Sequence, residues 1–200
     1  MSVQKAITKR RKLPVTTLLH TDSPSTVATS TEQAFDEVFQ TYWTRIYQLC
    51  FRLVGDPVEA EDLALETFVR LHKKPRLLQP DQNVGGWLYR VATNLGYNAL
   101  RAAQRRAKYE TASVHEFVPP TQGDDPADLA EIAVERAQVR HVLAQMKPRA
   151  AKLLLLRHSG LPYDELAKVL RLNPKSVGKM LSRAERDFEK RYLAQFGDPS

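Results

Sequence analysis

Two hundred residues carry 30 Lys and Arg against 23 Asp and Glu, a net charge of +7 and a pI near 9.6, a balance that suits a polyanionic partner without requiring one. The single cysteine, Cys50, allows no internal disulfide and no cysteine-rich zinc site. No apolar run approaches the roughly 20 residues of a membrane span, and the basic start has no signal-peptide core, so the expectation is a cytoplasmic chain without membrane insertion.

Residues 1–29 read as a disordered basic tail, with Lys5, Lys9, Arg10, Arg11 and Lys12 ahead of a Thr/Ser/Pro-rich stretch that has little to bury. Helical periodicity begins at Ser30, which with Gln33 has the form of a capping box. Phe35, Val38, Phe39, Tyr42, Ile46, Leu49, Cys50 and Leu53 then form one apolar stripe. Gly55 predicts the end of that helix, and Asp56-Pro57 with Glu59 predicts the start of the next. Its buried face is expected at Ala60, Leu63, Ala64, Thr67, Phe68 and Leu71. Pro75 and Pro80 bracket a loop, and a third helix is expected from about Val84 to Tyr109.

From Thr111 to Glu135 there is no Lys or Arg, while Glu116, Asp124, Asp125, Asp128, Glu131 and Glu135 are acidic and Pro119, Pro120, Gly123 and Pro126 break regular structure. Residues 111–130 therefore read as an acidic flexible linker, with helix resuming near its end, and residues 131–196 as a second helical unit. Strand-like alternation is absent from the sequence. The expected fold is all-α, two small helical domains joined by that linker.

Three segments carry chemistry. In the last, residues 161–192, Tyr163, Leu166, Ala167 and Leu170 make a short amphipathic helix. Asn173 and Pro174 then open a longer helix, as cap and first-turn residue. Val177, Leu181, Ala184 and Phe188 form its buried stripe, and Lys175, Lys179, Arg183, Arg186 and Lys190 lie on or near the outer face. A short helix bracing a longer one with outward cations is the geometry of a helix-turn-helix; a helical hairpin with a solvated basic face is the plainer reading. The third helix separates a packing stripe of Leu88, Val91, Leu95, Ala99 and Ala102 from a face of Arg90, Asn94, Tyr97, Arg101 and Arg105. Cations on that face would hold phosphates, a ring would stack on an unpaired base and an amide would read a base edge. The second helix is acidic at its start, with Glu59, Glu61, Asp62 and Glu66. The helix dipole explains the early carboxylates but not Glu66, which leaves a protein partner open.

These blocks occur in one order: GDPVEAEDLALETFVRLHK, then GGWLYRVATNLGYNALRAAQRR, then the linker, then LLLLRHSGLPYDELAKVLRLNPKSVGKMLSRAERDFEKRY. Together they resemble the extracytoplasmic-function sigma factors of bacterial RNA polymerase, a branch of the sigma-70 family, over roughly residues 33–193. The strongest tokens are Asp56-Pro57, Ala60-Glu61-Asp62-Leu63, Glu66 with Phe68, Trp87-Leu88-Tyr89-Arg90, Asn94-Leu95 and Ser182-Arg183-Ala184. The resemblance implies a sigma domain 2 at residues 30–110 and a sigma domain 4 at 131–196. It implies that Glu61, Asp62, Leu65 and Glu66 dock on core polymerase. Trp87, Arg90, Asn94, Tyr97, Arg101, Arg105 and Arg106 would engage and open the −10 promoter element, with Asn94 holding a flipped base. Lys175, Ser176, Lys179 and Arg183 would read the −35 duplex. The implied partners are core RNA polymerase, promoter DNA and an anti-sigma factor of the kind that often holds the family inactive; no cofactor is implied.

The chain departs from the family pattern at Leu65, where Gln is usual, and at Arg171, where Gly is usual in a left-handed turn. It departs again at Lys175, Gly178 and Met180 in the recognition helix. A glycine inside that helix costs roughly 1 kcal/mol of propensity and would fit a close backbone approach to DNA. Against this stands a lone helix-turn-helix regulator that never engages polymerase. An enzyme acting on nucleic acid fares worse: His20, His72, His115, His141 and His158 have no metal-ligand spacing, and there is no Gly-rich phosphate loop, catalytic constellation or metal site.

Overall fold

The computed structural model describes residues 24–109 and 126–197, with side chains at 31–107 and 130–197. Most of the expected basic tail and of the expected acidic linker lies outside the described residues. Seven helices make up the rest, and among the described residues there is no strand. They are α1 (Pro24–Val54), α2 (Pro57–His72), α3 (Val84–Tyr109), α4 (Pro126–Gln145), α5 (Pro148–His158), α6 (Tyr163–Leu170) and α7 (Pro174–Phe196), with a 3-10 turn at Pro75–Leu78. Among the described residues no helix is long and apolar enough to cross a membrane.

The helix boundaries follow local chemistry. Gly55 closes α1 with φ +80°, its N–H donating to the Phe51 carbonyl at 2.8 Å. Asp56 caps α2 by accepting from the Glu59 N–H at 2.7 Å, with Pro57 in the first turn. Asn83 accepts from the Gly86 N–H at 2.7 Å at the start of α3, and Asn173 accepts from the Lys175 N–H at 3.0 Å at the start of α7. The start of α1 differs from expectation. The helix begins at Pro24, so Ser30 lies inside it and does not cap it.

Helix α1 buries Ile46, Leu49, Cys50 and Leu53 against α2 and α3. Burial pushes the Cys50 thiol up to about 12, which makes it an inert packing group. Towards the α1 N-terminus, Phe35, Phe39 and Trp43 surround Phe68 of α2, with centroid separations of 6.5, 4.8 and 5.9 Å; such ring pairs add to area burial. Helix α2 buries Ala60, Ala64, Thr67, Phe68 and Leu71, so five of the six expected residues are covered and Leu63 is half-buried.

Helix α3 departs most from its expected pattern. Leu88 is buried as predicted, but Val91, Leu95, Ala99 and Ala102 are only half-buried, while Ala92, Thr93, Tyr97 and Leu100 are enclosed. The reason is tertiary: α3 is packed on two sides. On one side it meets α1, where a Cβ at Gly96 would stand 2.6 Å from Leu53 Cδ1, so a larger residue would force the enclosed Leu53 side chain to shift. On the other side it meets α4, α5 and α6. The two helical units thus share one hydrophobic core, from Ile46 and Phe68 through Tyr97 to Leu143, Leu156 and Leu166.

In the second unit α5, α6 and α7 pack around Leu153, Leu156, Leu166, Val177 and Leu181. In α6 the enclosed residues are Leu166, Ala167 and Val169; Tyr163, expected on the stripe, is 45% exposed. Arg171 ends α6 in the left-handed region at φ 52°, ψ 54°, and the Leu172 N–H reaches back to the Ala167 carbonyl at 2.8 Å, the pattern of a Schellman turn. A residue with a Cβ is disfavoured there by about 1 kcal/mol or more. Arg171→Gly is therefore expected to raise the unfolding free energy by about 0.5–1 kcal/mol, after allowing for the freedom glycine adds to the unfolded chain. Urea denaturation checks this, and a lowered midpoint would mean the Arg171 side chain contributes more than its backbone costs.

Candidate nucleic-acid interface

Helix α7 presents a clean basic face. With Val177, Leu181 and Ala184 turned inward, Lys175, Lys179 and Arg183 stand exposed one helical turn apart, and Ser176 is half-buried beside them. Gly178 does not lie on the free face. A Cβ there would be in ordinary contact, 3.6 Å from the Tyr163 ring of α6, so this half-exposed glycine borders the bracing helix.

Helix α3 divides into two parts. At its C-terminal end Arg101, Arg105 and Arg106 are all exposed. Nearer its start Trp87 is half-buried, with the Lys74 ammonium 5.7 Å from its ring centroid. The middle of the predicted reading face is occupied by the second helical unit. Arg90 donates through Nε to the Val169 carbonyl at 2.7 Å and through Nη2 to the Lys168 carbonyl at 3.0 Å, at the C-terminus of α6. Asn94 accepts through Oδ1 from Lys152 Nζ of α5 at 2.6 Å. Tyr97 is 1% exposed, and its hydroxyl donates to the Met146 carbonyl at 3.0 Å. Burial holds the Tyr97 phenol above its ordinary range, opposed by nearby Arg101. Lys152 also sits 5.5 Å from the Tyr97 ring centroid, and burial lowers the affinity of its amine for a proton.

Asn83 adds a further tie, donating through Nδ2 to Glu165 Oε2 at 3.0 Å. That bond, then one from Lys168, keeps the Glu165 carboxyl below its ordinary range. Hydrogen bonds that involve a charged group contribute about 1.5–3 kcal/mol each when well formed, so Arg90 and Lys152 are the strong polar members of this contact. Lys152 carried no signal in the sequence, because its role exists only once α5 lies on α3.

The third surface is on α2. Glu61, Asp62, Leu65 and Glu66 are all exposed on the face turned away from the core. Glu66 pairs with Arg70 at 2.7 Å, but both groups are nearly half exposed, and such a pair contributes only about 0.3–0.5 kcal/mol, too little to withhold Glu66 from a partner. Val58, Leu65 and Val69 are 67%, 42% and 46% exposed along the same helix. Spacings of seven and four put these three near one another on a single flank. Val58 and Val69 were not singled out from the sequence, although apolar residues off the predicted buried stripe were the available signal.

The described residues thus carry two basic helical faces and an acidic, partly apolar third face on a set of helices. The family models for sigma-70 region 2 and sigma-70 region 4 match residues 38–106 and 136–188. The chain belongs to the sigma-70 family, among its extracytoplasmic-function members. It is 28% identical over 165 residues to the ECF RNA polymerase sigma factor SigE of Mycolicibacterium smegmatis, a match covering 81% of this chain and 62% of that protein. It is 39% identical over 70 residues to the ECF RNA polymerase sigma factor SigW of Bacillus subtilis, covering 35% of this chain and 37% of that one. Both matches span less than two thirds of the relative's length. Among solved structures, the sigma factor RpoE in complex with the anti-sigma factor NepR from Bartonella quintana shares the fold at a TM-score of 0.53 and 17% identity, over 81% of this chain and 98% of that one.

The enclosed Tyr97 hydroxyl gives this geometry a direct check. Tyr97→Phe keeps the ring and leaves the Met146 carbonyl without that donor, which costs about 1 kcal/mol of stability. Chemical denaturation monitored by circular dichroism should show that loss; an unchanged midpoint would mean the hydroxyl bond contributes nothing net.

Proposed function

We infer that this chain binds core RNA polymerase and confers promoter-specific initiation on it, with residues 30–110 as sigma domain 2, 111–130 as linker and 131–196 as sigma domain 4. The observation that carries this reading is the α2 surface. A stand-alone regulator has no use for Val58, Leu65 and Val69 exposed beside Glu61, Asp62 and Glu66, whereas a docking helix needs both apolar area and charge. In this reading α2 holds polymerase and α3 engages the opened −10 element. There Asn94 holds a flipped base, Trp87 and Tyr97 offer rings for stacking, and Arg90, Arg101, Arg105 and Arg106 grip phosphates. Helix α7 enters the −35 major groove with Lys175, Ser176, Lys179 and Arg183. The work takes place in the cytoplasm with polymerase and needs no cofactor. The shared fold with RpoE, which is solved bound to NepR, supports an anti-sigma partner for this chain as well.

Run-off transcription with added core polymerase, followed by start-site mapping, tests the reading. Tight operator binding by the isolated chain with no effect on polymerase would sink it. Reversing charge at Asp62 and Glu66 should cost about 2 kcal/mol or more of core binding while leaving helicity unchanged, since both are off the buried stripe. A double variant that binds core like the parent would reduce the acidic face to a helix-dipole role.

The two DNA-reading jobs separate by mutation. Asn94→Ala should impair melting, read by permanganate footprinting of the −10 region. Lys179→Ala and Arg183→Ala should weaken −35 duplex binding, each lost phosphate contact removing about one unit of salt slope. Normal melting by the first variant, or normal −35 binding by the other two, overturns the corresponding assignment.

A further inference from the structure

A cleft of about 1130 Å³ lies between α1, α4, α5 and α7, just above the range of about 300–1,000 Å³ usual for small-molecule sites. None of the residues assigned above to polymerase or promoter DNA lines it. Its floor is apolar: Phe51, Val139, Leu143, Leu154, Leu155 and Phe188 are all buried or half-buried. The two rings are fixed by neighbours, Phe51 stacked on Tyr47 with centroids 6.2 Å apart and Phe188 on Tyr192 at 5.9 Å. The floor is therefore built without a ligand.

Four guanidinium groups line the same cleft. Arg52, Arg136 and Arg157 are exposed and Arg140 is half-buried. Three of them are positioned by the fold. Arg52 donates through Nη1 to the His158 carbonyl and Arg157 through Nη1 to the Leu161 carbonyl, each at 3.3 Å. Arg140 lies against Gly55, where a Cβ would stand 2.6 Å from its Cζ. A backbone carbonyl orients a guanidinium without cancelling its charge. Glu135 and Glu185 also line the cleft, so four cations stand against two anions.

We propose that this cleft is a binding site for an amphipathic organic carboxylate, its acyl chain on the apolar floor and its carboxylate held by the guanidinium groups. A guanidinium matches a carboxylate with two parallel N–H···O bonds, and methylenes laid on the floor leave water. A nucleotide fits less well, because the lining offers a single amide, Gln48, and no hydroxyl to read a base edge. An acidic peptide would bring several carboxylates past Glu135 and Glu185, whereas one carboxylate needs only the arginines. The site stands apart from the polymerase and promoter assignments and does not depend on them.

The test uses the full chain and decanoate, kept below the concentration at which it forms micelles, with decyltrimethylammonium as the same chain carrying the opposite charge. Calorimetry should show saturable binding of decanoate and weaker binding of the cation. Methyl NMR shifts should fall at Val139, Leu154 and Leu155 and spare Val58 and Val69, the exposed apolar residues of α2. Arg136→Glu with Arg157→Glu should weaken decanoate binding by about tenfold or more, the fold-change of one charge-assisted hydrogen bond lost. Both residues are exposed, and circular dichroism checks that the double variant folds; if it does not, Arg136→Glu alone carries the same comparison. Binding that does not saturate, equal affinity for the two amphiphiles, an unaffected variant, or shifts centred on Val58 and Val69 overturns the site. Tighter binding of adenosine triphosphate or of an acidic amphipathic peptide at the same methyls overturns the carboxylate class.

Discussion

The packing of the two helical units depends on the need of two helix ends for hydrogen-bond donors. Helices α4 and α6 both terminate beside α3, the Met146 carbonyl after α4 enclosed and the Val169 carbonyl of α6 partly so, and an enclosed acceptor left unpaired costs about 1–3 kcal/mol. Helix α3 supplies the donors, the Tyr97 hydroxyl at the Met146 carbonyl and the Arg90 guanidinium at Val169 and Lys168. Each brings apolar bulk along with its polar tip. The Tyr97 ring fills the space between the two units, and the Arg90 stem lies half-buried beside it. These side chains thus tie the two units together at the edge of the shared core.

That constraint explains where sequence reading succeeded and where it stopped. Caps are local: Asp56 with Pro57 and Asn173 with Pro174 act within three residues of themselves, so their roles were legible and appear as expected. The α1, α2 and α7 stripes were legible because each of those helices has one dominant buried face. Helix α3 has two, one towards α1 and one towards the second unit. Tyr97 therefore read as part of an open polar face when it is among the most enclosed residues in the chain. A tyrosine amid arginines carries the same pattern whether it waits for a base or for a carbonyl, and only tertiary structure separates the two. Ser30 failed for a different reason. Its capping-box pattern is real, but the helix continues back to Pro24 through residues that gave no apolar signal.

The surfaces also show why net charge alone says so little. The +7 of the chain is a sum over faces of opposite sign. Helix α2 turns Glu61, Asp62 and Glu66 outward, while α7 and the end of α3 turn out Lys and Arg. With a Debye length of about 8 Å at physiological salt, faces on different helices are largely screened from one another and can serve different partners. The exposed apolar flank of α2, with Val58, Leu65 and Val69, adds contact area that charge cannot supply.

The polar contacts on α3 are strong individually but opposed. Arg90 gains two charge-assisted bonds, yet both acceptors are neutral carbonyls, and a phosphate would bind the same guanidinium more strongly. Lys152 gains a 2.6 Å bond to Asn94 and a ring face, but its ammonium is partly desolvated, which the lowered proton affinity records. Glu165 and Asn83 lie at an exposed rim, where such a bond is worth little. What remains is a contact whose largest secure term is the enclosed Tyr97 ring.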